Sequence, residues 1–78
     1  MLLFGMLGEA AGWRARELAE VPTTLSALRE QLAAESPRLA EALARPGVQA
    51  AVDKALVRGD VALAAGVEIA FLPPMSGG

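Results

Sequence analysis

No cysteine and no histidine occur among the 78 residues, and the aromatic side chains are limited to Phe4, Trp13 and Phe71. Without cysteine there is no disulfide staple, no thiolate nucleophile and no thiolate metal site; without histidine the commonest general base and metal ligand is missing. The chain is therefore poorly equipped for side-chain catalysis, and no metal site is expected. Asp53 and Asp60 are too few for a calcium cage, which takes about six or more oxygens, so they read as turn residues. An excess of one charge is lacking as well. The formal net charge is -2, and Arg14, Arg16, Arg29, Arg38, Arg45, Lys54 and Arg58 are dispersed among carboxylates. That leaves no basic stripe for a nucleic-acid backbone, and Lys54 and Arg58 read as solvated charges. No apolar run approaches the roughly 20 residues needed to cross a bilayer. The opening "MLLFGML" has no basic n-region and meets Glu9 too early for a signal peptide. A cytoplasmic chain without membrane or nucleic-acid partners is the expectation.

What is present is a high apolar fraction, 54%, in a short chain. That suffices for one folded domain but not for walls around a substrate cleft, so a carrier, a binding module or a subunit is expected. With few aromatics the core falls to Leu, Val and Ala. Ala buries little area at about 25 cal/mol per Å², so modest stability or support from a partner follows.

Leu2 to Leu7 fits a short strand covered on both faces or a buried helical turn; its place at the chain start favours the strand, closed by a "GEAAG" turn. "WRARELAEV" leans to helix by propensity, while its alternation also fits a strand paired back onto the first. "PTTLSALREQLAAES" predicts the main helix, with Thr23 or Thr24 as cap and Leu25, Leu28 and Leu32 on one face. "PRLAEALARPG" predicts a shorter one, with Pro37 in its first turn, Leu39 and Leu43 at i,i+4, and Pro46-Gly47 as its stop. Then "VQAAV", "ALV" and "VEIAFL" predict three strands, the last placing Val67, Ile69 and Phe71 on one face. The order predicts an α+β domain over 1–72, one mixed sheet of about four to five strands packed by one main and one shorter helix. If the first and last strands lie side by side, the carboxyl end leaves from the sheet interior.

Residues 73–78, "PPMSGG", read as an extended tail. A terminal Gly-Gly is ordinarily a fraying end. Here it follows a β-type segment and two prolines whose fixed φ keeps the stem extended. A C-terminal carboxylate is itself an acyl group: its attack on the α-phosphate of ATP gives an acyl-adenylate open to a sulfur, nitrogen or oxygen nucleophile. Gly77 and Gly78 carry no Cβ and so suit an extended passage through a narrow channel of an activating enzyme, with Ser76 just behind them. Phe71, Leu72, Pro73, Pro74 and Met75 form an apolar cluster at the tail's exit, the kind of patch that marks a partner surface. Sharing a face with Val67 and Ile69 makes Phe71 core in preference to surface, whereas Leu72 points the other way and is the stronger interface candidate.

"VEIAFLPPMSGG" resembles the C-terminus of the molybdopterin synthase small-subunit family, ubiquitin-like β-grasp sulfur carriers ending in a strand, Phe-x-Pro-Pro and Gly-Gly. "LLFGMLGEAAG", "TTLSALREQLAAESPRLAEAL" and "AAVDKALVRGDVAL" are similar to that family's opening strand and turn, helical middle and hairpin. Asp53 stands where the family usually has Asn, and Val67 where an acidic residue is common. The resemblance favours a strand for Trp13 to Val21, and that reading is adopted.

The resemblance implies that Gly78 is adenylated by an E1-like partner that uses ATP, converted to a thiocarboxylate, and inserted into the large synthase subunit. There the sulfur passes to cyclic pyranopterin monophosphate. Two carriers on a central dimer of large subunits make a heterotetramer in that family. The chain binds no permanent cofactor on this reading and is not catalytic alone. The alternatives are another β-grasp carrier, either a thiamine-pathway sulfur donor or a protein modifier joined to lysine, and a structural adaptor with an incidental tail.

Overall fold

The computed structural model of the chain describes residues 1–18 and 20–74. Along them run β1 (Leu2–Leu3), α1 (Met6–Ala11), α2 (Leu25–Glu35), α3 (Pro37–Leu43), β2 (Gln49–Val52), β3 (Ala55–Val57) and β4 (Ile69–Leu72). The two longer helices start where the sequence supplies acceptors. Thr24 stands extended ahead of α2, and its Oγ1 accepts the Ala27 N–H at 3.1 Å. Asp60, far along the chain, accepts the Ser26 N–H at 2.8 Å, so a second free donor of that helix end is satisfied. Ser36 ends α2 and caps α3, its Oγ accepting the Leu39 N–H at 3.3 Å, with Pro37 in the first turn. Leu25, Leu28, Leu32, Leu39 and Leu43 all turn inward and are buried. Each contributes about 1.5–3 kcal/mol relative to an exposed position.

The sheet has four strands in the order β1-β4-β2-β3, with β1 parallel to β4 and the other pairs antiparallel. The β2–β3 hairpin turns through Asp53 and Lys54, both left-handed at φ 49 and 70, as a two-residue connection between twisted strands requires. The Asp53 carboxylate accepts the Glu68 N–H at 3.0 Å while its own N–H donates to the Glu68 carbonyl at 2.7 Å. The turn is thereby tied to the chain just ahead of β4. Asp in place of Asn keeps the acceptor that this contact uses, and Asp53 and Asp60 are both structural turn and cap residues.

Three local expectations are corrected. The opening strand ends at Leu3, and the "GEAAG" stretch lies in the end of α1, which Gly12 closes in the left-handed conformation. Leu7 is wholly buried and Met6, Ala10 and Ala11 pack on the core, so burial of one helical face outweighs two glycines' turn preference. The sheet therefore carries three helices instead of two among the described residues. The strand expected over Trp13 to Val21 is reduced to a single bridge, Ala15 to Leu2, with Ala19 outside the described residues. β1 is only two residues long and offers no ladder beyond it. Arg16 turns instead to Glu35 in a two-pronged ion pair at 2.9 and 2.8 Å, its guanidinium 4.4 Å from the Trp13 ring centre. That contact raises the Arg16 pKa and lowers that of Glu35.

Candidate functional site: the tail root and the open face of the sheet

The carboxyl end departs from the middle of the sheet. β4 has β1 on one side and β2 on the other, and Leu72 is its last residue, opposite Gln49. Pro73 and Pro74 have no N–H to continue a ladder, so pairing stops where the prolines begin. Both are half-buried. A strand hydrogen-bonded on both edges is a firmer base than a frayed terminus. Met75, Ser76, Gly77 and Gly78 lie outside the described residues.

Cross-strand partners share a face, so the register assigns the two sides of the sheet. Leu3 pairs with Phe71, Phe71 with Ala50, and all three are buried under the helices. Phe71 is a core residue with no exposed surface, and Arg29 lies over its ring at 5.5 Å. The exit cluster inferred from sequence therefore divides: Phe71 points inward, whereas Leu72, Pro73 and Pro74 keep partial exposure.

The alternate set runs the other way. Leu2 pairs with Ala70, Ala70 with Ala51, and Ala51 with Leu56, an apolar row across all four strands. No helix covers it: Leu56 keeps 63% of its surface exposed, and Phe4, two residues past Leu2, keeps 45%. With Leu72 these side chains make an apolar row beside the tail's exit, with exposed Gln49 opposite Leu72 on the same face, the kind of surface that often binds another protein. Sequence reading missed Phe4 and Leu56. The two-residue turn at Asp53-Lys54 held the clue, because it fixes Leu56 opposite Ala51.

The body holds little else with chemical potential. Among the described residues no polar or charged side chain is buried and no buried side-chain polar atom lacks a partner. No group of three or more His, Cys, Asp or Glu gathers there to hold a metal. No described helix is long and apolar enough to cross a membrane. The groove between α1 and α3, about 590 Å³, has Met6, Ala10 and Ala42 on its floor and Glu9, Glu41, Arg38 and Arg45 around it. Its mixed charges define no ligand. Among the described residues the arrangement presents a tail root and an apolar surface next to it.

The sequence matches the ThiS family over residues 1–78. It is 42% identical over 78 residues, all of this chain and 96% of the relative, to the molybdopterin synthase sulfur carrier subunit of Escherichia coli. To the protein of the same name from Haemophilus influenzae it is 35% identical over the same span, again 96% of the relative. Among solved structures, SAMP1 from Haloferax volcanii aligns with a TM-score of 0.76 at 27% identity, over 99% of this chain and 94% of that one. The fold is the ubiquitin-like β-grasp.

Proposed function

The chain belongs to the ThiS family, and from that premise we propose that it is the sulfur-carrier subunit of a molybdopterin synthase, working in the cytoplasm through its last residue. The reading is carried by full-length similarity to two proteins of that name, together with a C-terminal strand bonded on both sides. Gly78 supplies the reacting carboxylate. Its oxygen attacks the α-phosphate of ATP in an E1-like partner, releasing pyrophosphate, and a sulfur nucleophile displaces AMP from the acyl-adenylate to leave a thiocarboxylate. The loaded tail enters the large synthase subunit, where the sulfur passes to cyclic pyranopterin monophosphate.

Division of labour follows from the residues. The body contributes a rigid base and a docking face, with Leu72, Phe4 and Leu56 meeting the partner and Pro73 and Pro74 as a stiff stem. Residues 73–78 reach at most about 20 Å when extended, enough to enter a pocket that the body itself cannot. Met75, Ser76 and Gly77 thread that channel, and Gly77, lacking a Cβ, fits its narrow bore.

Intact mass after incubation with ATP, the activating enzyme and a sulfur source tests the reading. A gain of about 16 Da, oxygen replaced by sulfur, is expected on the full chain and is abolished by deleting Gly78, with the melting temperature unchanged. Sulfur transfer that survives the deletion sinks the proposal. Co-purification with a large synthase subunit separates this carrier from a lysine-conjugated modifier, which gives adducts on assorted proteins.

A further inference from the structure

Glycines meet both prolines at the tail root, one from each side. Because β4 lies between β1 and β2, its exit is flanked by the residues that follow β1 and by those that precede β2. Gly5 and Gly47 hold those two places. A Cβ at Gly5 would come within 3.0 Å of the Pro73 Cγ and 3.5 Å of its Cβ; one at Gly47 would come within 3.1 Å of the Pro74 Cβ and 3.5 Å of its Cα. Both glycines also have positive φ, 57 and 89. Gly12, Gly59 and Gly66 share that backbone region, at φ 85, 71 and 80, yet a Cβ on any of them would meet nothing within 4 Å. Left-handed geometry is thus common in this chain, and close approach to the tail is confined to two positions.

We propose that Gly5 and Gly47 are positioning residues, a cradle without side chains that seats the rings of Pro73 and Pro74 and sets the direction in which the reactive terminus leaves the body. The inference rests on the sulfur-carrier reading above. Proline rings are stiff and their φ is fixed, so two backbones pressed against them hold the stem's orientation as well as its location. The four residues after Pro74 extend at most about 14 Å, and a tilt at the root grows along that reach. An added methyl at either glycine has to push a ring aside. Reaction rates respond steeply to displacements of this kind.

The test compares Gly5→Ala and Gly47→Ala with Gly59→Ala and Gly66→Ala in the full chain. All four place alanine at a left-handed position, but only the first pair reaches a proline. Sulfur loading is followed by intact mass at increasing carrier concentration with the activating enzyme, alongside melting temperature. Gly5→Ala and Gly47→Ala are expected to lower kcat about tenfold with KM for the carrier little changed, because the open face is untouched. The two controls should load like the parent.

Removing the obstructed atoms supplies a second readout. In a Pro73→Ala background, which lacks the Cγ, Gly5→Ala should cost far less than in the parent; Gly47→Ala should do the same in a Pro74→Gly background. If Gly5→Ala fails to fold, the Gly47 arm decides. Equal losses at cradle and control glycines, or losses unchanged by the proline substitutions, overturn the inference while the carrier reading stands. A parent chain that gains no sulfur overturns both.

Discussion

The two faces of the sheet are built from the same kinds of residue and end in opposite states. On one side Leu3, Ala50, Ile69 and Phe71 lie at 2%, 1%, 1% and 0% exposure beneath the helices. On the other, the row from Leu2 through Ala70 and Ala51 to Leu56 has no covering layer, and Leu56 remains at 63%. Hydrophobicity alone does not distinguish them. The difference is that the chain has enough helix to cover one face, which leaves the second apolar face to solvent and, on the sulfur-carrier reading proposed above, open to a partner. The tail root, Leu72 to Pro74, lies at the end of that open face, so on the proposed reading docking and delivery are neighbouring events.

The comparison breaks most visibly on the covered side. Phe71→Ala should cost about 3–5 kcal/mol, since it empties the centre of the core, and urea unfolding of the variant measures it. A loss under about 1 kcal/mol would mean that the helices do not seal that face. On the open side, Leu56→Asp should leave stability within about 0.5 kcal/mol and weaken binding to the partner about ten- to a hundredfold, read by calorimetric titration. Unchanged affinity would show that the exposed row is not the docking surface.

The smallest effect belongs to an ion pair at the surface. Glu35 has a lowered pKa because Arg16 donates two hydrogen bonds to it. A lowered folded-state pKa adds stability above the unfolded value, and that stability disappears as pH falls through the folded value. Both partners keep more than a third of their side-chain surface exposed, so solvent screens the pair. Glu35→Gln should therefore cost less than about 1 kcal/mol at neutral pH, and parent and variant should converge as pH falls through the lowered Glu35 value. A difference that persists in acid would trace to packing rather than charge.

Legibility from sequence followed the range of the forces involved. The α2 and α3 helices were readable because Thr24, Ser36 and Pro37 act on donors within a turn and the inward leucines repeat with the helical period. β4 was readable from its alternation, and the family from the run "VEIAFLPPMSGG". By contrast, α1 and the loss of the strand after Trp13 depend on what packs against them. Leu7 enters the core only because the helices and sheet enclose it, and the segment after Trp13 pairs little because β1 is short. Gly5 and Gly47 carried no sign of a shared role, standing forty-two positions apart in the sequence.

By itself, then, the sequence determined the α+β class, the capped helices and the alternation that turns Phe71 inward, because each of these rests on residue type or on contacts within a few positions. Only the tertiary structure decided that Phe4 and Leu56 stay in the open and that two distant glycines flank the tail root. Those outcomes come from strand order and register, which hydrogen bonds between remote segments set and no local pattern encodes.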